Sequence, residues 1–196
     1  CHDHNMDAVL AIGMAGYTIG RDTIFNGLFA LDPGESVVLT KDSEPDRRHY
    51  FVYAPRPAPA NGNAVRLTEI LRHIFEKTAA SLDGRTVIVP LSAGLDSRLI
   101  VTGLLEVGYQ HIKCFSYGQP GNHEATAARQ ITDALGCPWT FIPHTPQQQQ
   151  TTFKSDACRE FVAFADTLQA IPFQQDFHAI GTLKANEFAP EEAIFI

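Results

Sequence analysis

The chain has 196 residues, 44% hydrophobic and 19% charged, with a formal net charge of −7. That length holds one domain, or one domain plus part of another. The acidic balance argues against non-specific nucleic-acid binding, which needs a basic surface. No apolar run approaches the roughly 20 residues of a membrane span, and the opening CHDHNMDAV lacks the basic-then-apolar order of a signal peptide.

Four cysteines occur, Cys1, Cys114, Cys137 and Cys158, without a C-x-x-C pair. A zinc site or redox motif is therefore not expected. The spacing predicts four unpaired thiols and a reducing, cytoplasmic setting.

In chain order, Met6 to Gly16 is apolar and Ala-rich with a glycine stop, which predicts a short helix. Asp32-Pro33-Gly34 marks a tight turn. Ser36–Thr40 and His49–Tyr53 read as strands joined by a charged turn over Lys41–Arg48. Residues 54–63, APRPAPANGN, carry three prolines and read as a linker. From Val65 to Leu82, Leu67, Ile70, Leu71, Ile74, Phe75 and Thr78 share one face of a predicted amphipathic helix, which Asp83-Gly84 ends.

Thr86–Val89 is a short β-branched run suited to a strand buried on both faces of a parallel sheet. Pro90 to Ser97 is a turn of small and hydroxylated residues. Leu99, Ile100, Gly103, Leu104 and Val107 then repeat at helical spacing up to Gly108. Strand, small-residue loop and helix aim loop N–H groups and a helix N-terminus at one point, which suits a phosphate. Neither G-x-x-x-x-G-K-[ST] nor G-x-G-x-x-G is present. Ser92 and Ser97 offer hydroxyls, Gly94 permits close backbone approach, and Asp96 suits a Mg²⁺ ligand. Two other readings of the loop stand beside this one. It could be a buried βα turn of small residues, or an elbow presenting Ser92 as a nucleophile with His144 or His178 as base. The elbow pattern G-x-S-x-G wants glycine where Pro90 stands.

His111–Tyr117 reads as a second buried strand, broken at Gly118 to Gly121. Asn122 is a good N-cap, with Glu124 in the first turn, and Ala127, Ala128, Ile131, Ala134 and Leu135 form a packing stripe ended by Gly136. Trp139–Ile142 is a third strand. The alternation predicts a parallel sheet with right-handed crossovers and a ligand beyond the carboxyl ends of its strands. Gln147 to Gln150 reads as a polar loop or helix start. Phe153–Phe164 and Pro172–Leu183 read as helices whose core includes Phe161, Phe164, Leu168, Phe173, Phe177 and Ile180. His178 reads as a structural histidine, and Ala193–Ile196 begins another strand.

Ser92-Ala93-Gly94-Leu95-Asp96-Ser97 resembles the S-G-G-x-D-S loop of the ATP pyrophosphatases. The preceding Leu91 and the following helix favour the asparagine synthetase branch. Ala93 stands where the family has its first glycine, and alanine disfavours positive φ. Phe115-Ser116-Tyr117-Gly118, followed by Pro120-Gly121, Glu124 and Ala127-Ala128, resembles a second block of asparagine synthetases and β-lactam synthetase. The segment from Gly16 through the Asp32-Pro33-Gly34 turn resembles the passage where that family's glutaminase domain ends.

The resemblance, which covers most of residues 16 to 196, implies an α/β fold of the adenine-nucleotide pyrophosphatase (PP-loop, Rossmann-like) type preceded by a short β-rich remnant. Residues 1–53 would be the end of a glutaminase-like domain, 54–63 a linker and 64–196 an ATP-binding domain that stops short of the family's second acidic loop. The implied chemistry is adenylation of a carboxylate by ATP with Mg²⁺, release of pyrophosphate and attack by ammonia or an amine. Ser92, Ala93, Gly94, Leu95 and Ser97 would cradle phosphate. Asp96 would bind the metal as the catalytic carboxylate. Leu91, Tyr117 and Gly118 would meet adenine or ribose mainly through backbone atoms. The partners implied are a small carboxylate, ATP and a glutaminase domain as ammonia source, and a homodimer is compatible with them. The family's nucleophilic N-terminal cysteine precedes a whole glutaminase domain, whereas here the loop arrives within a hundred residues. Cys1 is therefore read as an accident of where the fragment begins. A nucleotide-binding module without catalysis, and an interaction domain that binds no nucleotide, are the competing classes.

Overall fold

The computed structural model describes residues 3–55 and 63–196. In chain order its elements are α1 (Met6–Ala15), β1 (Glu35–Val38), β2 (Asp46–His49), α2 (Asn63–Leu82), β3 (Val87–Pro90), α3 (Leu95–Glu106), β4 (Ile112–Gly118), α4 (His123–Leu135), β5 (Trp139–Pro143), α5 (Pro146–Phe153), α6 (Asp156–Ala165), α7 (Phe177–Ala185) and β6 (Ile194–Phe195). They fall into two compact units: Cys1–Pro57 with Asp156–Gln174, and Ala58–Ser155 with Gln175–Ile196. Residues 156–174, which the sequence pattern placed with the sheet, group with the N-terminal segment. The linker expected at 54–63 falls mainly on 56–62, outside the described residues.

The smaller unit is built on local caps and one hairpin. Asn5 caps α1 by accepting from the Ala8 N–H at 3.2 Å, and Gly16 closes the helix at φ 83°. β1 and β2 pair antiparallel, from Glu35 opposite His49 to Val38 opposite Asp46. The second strand therefore lies earlier than the expected His49–Tyr53. The Glu35 carboxylate is buried; it accepts from the Asp32 N–H at 3.0 Å and from Arg47 Nη1 at 3.1 Å. Those polar bonds choose the register, and the apolar Phe51-Val52-Tyr53 run stays exposed and unpaired as a strand. Phe164 and Phe173, read as core residues, are exposed as well.

The larger unit is a four-stranded sheet in the order β5-β4-β3-β6, with every pairing parallel. The expected α/β parallel sheet with flanking helices is what the chain forms. β3 lies inside the sheet, and its side chains alternate between two cores. Val87 and Val89 pack with Leu82, Val101, Leu104, Ile112 and Cys114 on one face. Ile88 packs with Phe115, Ile142, Ala179 and Leu183 on the other. Burial on both faces explains why the strand reads as a continuous apolar run. α2 turns Phe75, Ala79 and Leu82 inward, while Leu67, Ile70 and Ile74 remain exposed, so its packing stripe is narrower than its apolar face.

Two helix boundaries differ from the pattern. Phe153 ends a helix instead of starting one: α5 begins at Pro146 behind a Thr145–Gln148 capping box. The last helix begins at Phe177, five residues after Pro172. Asn122 caps α4 as expected, accepting from the Ala125 N–H at 2.7 Å, and Gly136 ends it at φ 71°. Among the described residues Cys114, Cys137 and Cys158 form no disulfide, and no described helix is long and apolar enough to cross a membrane. Cys1 lies outside the described residues.

Candidate functional site

The chain leaves β3 at Pro90 and enters α3 at Leu95 with Gly94 as N-cap, so residues 91–94 form a short turn at a helix N-terminus. Its backbone is wired by its own hydroxyls. Ser97 Oγ accepts from the Ser92 N–H at 3.2 Å, Ser92 Oγ accepts from the Gly94 N–H at 3.1 Å, and the two hydroxyls lie 3.4 Å apart. Arg98 Nη2 donates to the Ala93 carbonyl at 2.9 Å, holding that oxygen against its own side chain. The first N–H groups of α3, at Leu95 and Asp96, have no intrahelical carbonyl to meet. Positive φ among the described non-glycine residues is confined to Asp83, Leu168 and Glu187. Ala93 therefore takes the place of a glycine without strain.

A cavity of about 640 Å³ lies beside this turn, at the carboxyl ends of β3, β4 and β5. Pro90, Leu91 and Ser92 wall it from β3, Tyr117 and Gly118 from β4, and His144 from β5. The first turn of α4 contributes Asn122, His123 and Glu124. Its size is within the range of small-molecule sites. The far wall is fixed by backbone: Gly118 has φ 134°, its carbonyl accepts from the His144 N–H at 2.8 Å, and a Cβ on it would lie 3.0 Å from Asn122 Nδ2.

The expected residues separate into two groups. Leu91, Ser92, Tyr117 and Gly118 line the cavity itself. Ala93, Gly94, Leu95, Asp96 and Ser97 form the adjoining turn and helix start, with Gly94, Leu95 and Asp96 exposed. Leu91 is buried and both its backbone groups are engaged: its N–H donates to the Phe115 carbonyl at 2.8 Å and its carbonyl accepts from Ser116 Oγ at 2.6 Å. What Leu91 offers a ligand is thus its side chain and one carbonyl lone pair. The Asp96 carboxylate has no hydrogen-bond or ion-pair partner among the described residues. No group of three or more His, Cys, Asp or Glu capable of holding a metal occurs among them. A free carboxylate in a phosphate-type turn fits Mg²⁺ carried in on phosphate oxygens, which is how that ion is usually held.

The serine-nucleophile reading finds no support in the geometry. Ser92 Oγ is bonded within the turn. His178 Nδ1 lies 3.0 Å from Thr152 Oγ1, as a structural histidine should. His144 Nδ1 meets Gln149 at 3.4 Å, and neither histidine is hydrogen-bonded to Ser92 among the described residues.

The cavity's aromatic wall is shifted in its acid–base behaviour. Burial first, then hydrogen bonding to Asp176, pushes the Tyr117 hydroxyl well above the ordinary tyrosine value. Burial first, then the neighbouring His178, lowers His144, with Asp176 pulling the other way. Gln149, Asn122 and Gln175 were not singled out as site residues from sequence, since none stands in a motif, and His144 entered only as a candidate base for Ser92. The expectation of a ligand beyond the carboxyl ends of the strands was the one signal pointing to where β5 stops.

A model of the asparagine synthase family matches residues 71–173, just over half of the 196. The chain belongs to the asparagine synthase family. No curated protein matches it. Among solved structures it is similar to an NH3-dependent NAD synthetase from Campylobacter jejuni subsp. jejuni NCTC 11168, in complex with the nitrate ion. That similarity has 16% identity and a TM-score of 0.38, covering 46% of this chain and 41% of the other. The chain thus spans less than half the length of that protein. The family match covers the turn, β4, the start of α4 and His144 together, which bound the cavity on every side but that of Gln175.

Proposed function

We propose that this asparagine synthase family chain binds ATP with Mg²⁺ and serves a synthetase that activates a carboxylate for amide formation. The observation that carries the reading is the Ser92–Ser97 turn at the N-terminus of α3, opening beside a nucleotide-sized cavity at the carboxyl ends of three parallel strands. In the reaction a substrate carboxylate oxygen attacks the α-phosphorus of ATP and pyrophosphate leaves. An amine or ammonia then attacks the acyl carbon, AMP leaves, and the nitrogen loses a proton.

The turn's part is positioning and charge stabilisation. N–H groups of residues 93 to 97 and the hydroxyls of Ser92 and Ser97 hold phosphate oxygens, exchanging their internal bonds for bonds to the ligand. Arg98 keeps the Ala93 carbonyl turned away from that charge. Asp96 holds Mg²⁺, which when bound neutralises the departing pyrophosphate. Leu91, Tyr117 and Gly118 flank the nucleoside. Residues 1–53 are read as the end of a glutaminase-like domain that supplies ammonia, and 64–196 as ATP-binding, on the resemblance of the segments before and after residues 54–63.

Calorimetry of the full chain with ATP, in the presence and absence of Mg²⁺, tests the assignment. Asp96→Asn is expected to weaken Mg·ATP binding far more than metal-free ATP binding, because the carboxylate acts through the ion and the N–H groups act directly. Equal loss in both conditions removes Asp96 from the metal role. A wild-type chain that binds ATP in neither condition overturns the proposal.

A further inference from the structure

His144 is the least explained residue of the cavity. It follows β5, and its backbone N–H is tied to Gly118 at the end of β4. The residue is only 6% exposed, and its imidazole stacks on Tyr117 with ring centroids 4.7 Å apart at 22° and meets His178 edge-on at 5.1 Å. A ring held on three sides in this way is placed, not accommodated. Yet among the described residues its Nε2 is one of two buried side-chain nitrogen or oxygen atoms with no hydrogen-bond partner; the other is Arg98 Nε, beside the phosphate-type turn.

The tautomer follows from the neighbour. Gln149 Nε2 lies 3.4 Å from Nδ1, and an amide nitrogen can only donate. Nδ1 is therefore the acceptor, and the neutral ring carries its proton on Nε2. Burial favours that neutral form. A buried N–H left without an acceptor is costly, so its retention at a cavity wall calls for a partner that arrives from outside.

Position supplies the partner's identity. The sheet order runs β3, β4, β5, so His144 lies two strand spacings, about 10 Å, from the strand that feeds the phosphate turn. A nucleotide anchored by its phosphates at Ser92 to Ser97 and laid across the strand ends brings its base to Gly118 and His144. Resting on the nucleotide reading above, we infer that His144 is a specificity-determining residue that reads the purine, its Nε2–H donating to an unprotonated ring nitrogen of the base. The Tyr117 ring backs the imidazole and sets its plane.

The test compares the full chain with His144→Phe, which keeps an aromatic ring on Tyr117 and removes the nitrogen. Calorimetry with ATP and with tripolyphosphate separates base from phosphate. The variant is expected to bind ATP about tenfold more weakly, the effect of one hydrogen bond, and to bind tripolyphosphate as the wild type does. Analogues lacking one purine nitrogen, 1-deaza-, 3-deaza- and 7-deaza-ATP, carry the same test without altering the protein. One of the three should lose the same factor on the wild type and nothing on the variant. The inference is overturned if the variant binds ATP normally, if it loses ATP and tripolyphosphate alike, or if all three analogues bind the wild type as ATP does. A wild type that binds neither ATP nor tripolyphosphate overturns the nucleotide reading and this inference with it, whereas normal ATP binding that ignores His144 leaves the nucleotide reading standing.

Discussion

Ser116 shows how a single hydroxyl fixes the turn on which the site depends. Its Oγ donates to the Leu91 carbonyl at 2.6 Å and accepts from Trp139 Nε1 at 3.1 Å. The indole of β5, the hydroxyl of β4 and the first residue after β3 thus form one chain of bonds across the strand ends. Ser116 is buried, so neither bond has a ready substitute in water. Ser116→Ala should therefore leave the Leu91 carbonyl one bond poorer and the Trp139 N–H unsatisfied. The expected cost is about 1–3 kcal/mol, read as a lower urea midpoint at unchanged slope. A variant as stable as the wild type would mean that the strand ends relax freely and that the turn is not held from below. Serine at this position was visible in the sequence as a member of the Phe115–Gly118 block. The two bonds were not, because both partners lie more than twenty residues away.

The crossing of α2 and α3 turns on a residue without a side chain. Gly103 is buried in α3, and a Cβ built on it would come within 2.2 Å of the Phe75 ring of α2. In isolation alanine is the better helix former by roughly 1 kcal/mol. Here that gain is outweighed by overpacking, which typically costs about 1–3 kcal/mol in a filled core. Gly103→Ala should lower the thermal midpoint, and pairing it with Phe75→Leu should restore most of the loss. If the single variant is more stable than the wild type, the ring has room to move and the close approach is not a constraint. The same contact explains why the sequence overstated the packing face of α2: Phe75, Ala79 and Leu82 pack against the sheet core, whereas Leu67, Ile70 and Ile74 stay exposed among the described residues. Elements whose signal is local were legible. β3 and β4 are continuous apolar runs, and α4 carries Asn122 and Gly136 at its ends. The start of α5 was also there to be read, since Thr145-Pro146-Gln147-Gln148 has capping-box spacing with proline at the first helical position. β2 was not legible, because Asp46–His49 is exposed throughout and is held by pairing to β1 and by the Arg47–Glu35 bond.

Across the whole chain, apolar burial is divided unevenly between the two compact units. The fully buried hydrophobic residues lie almost entirely in the sheet unit, where two clusters sandwich β3 and β4. In the unit of Cys1–Pro57 and Asp156–Gln174, Ala8 and Cys158 are the buried hydrophobic members among the described residues, accompanied by Thr18, Thr23 and Glu35. Sequence composition gave no warning of this, since Met6, Leu10, Met14, Ile19 and the Tyr50–Tyr53 run look like core residues and are exposed. A unit held by caps, bridges and the Glu35–Arg47 pair lacks the area-dependent term that dominates folding. One ion pair between the buried Glu35 and the exposed Arg47 does not replace it, because desolvation of the carboxylate offsets much of the attraction. Native-state amide exchange should therefore resolve two levels of protection. Amides of β3 and β4 are expected to open only with global unfolding. Those paired between β1 and β2 should exchange at least about a hundredfold faster, a gap of ~2.7 kcal/mol, through opening of the smaller unit alone. Adding ATP and Mg²⁺ should slow exchange in the sheet unit, where the proposed site lies, by mass action on the bound state. Equal protection in both units would show that they unfold as one cooperative body and that the sparse core is reinforced by interactions beyond its own hairpin and caps.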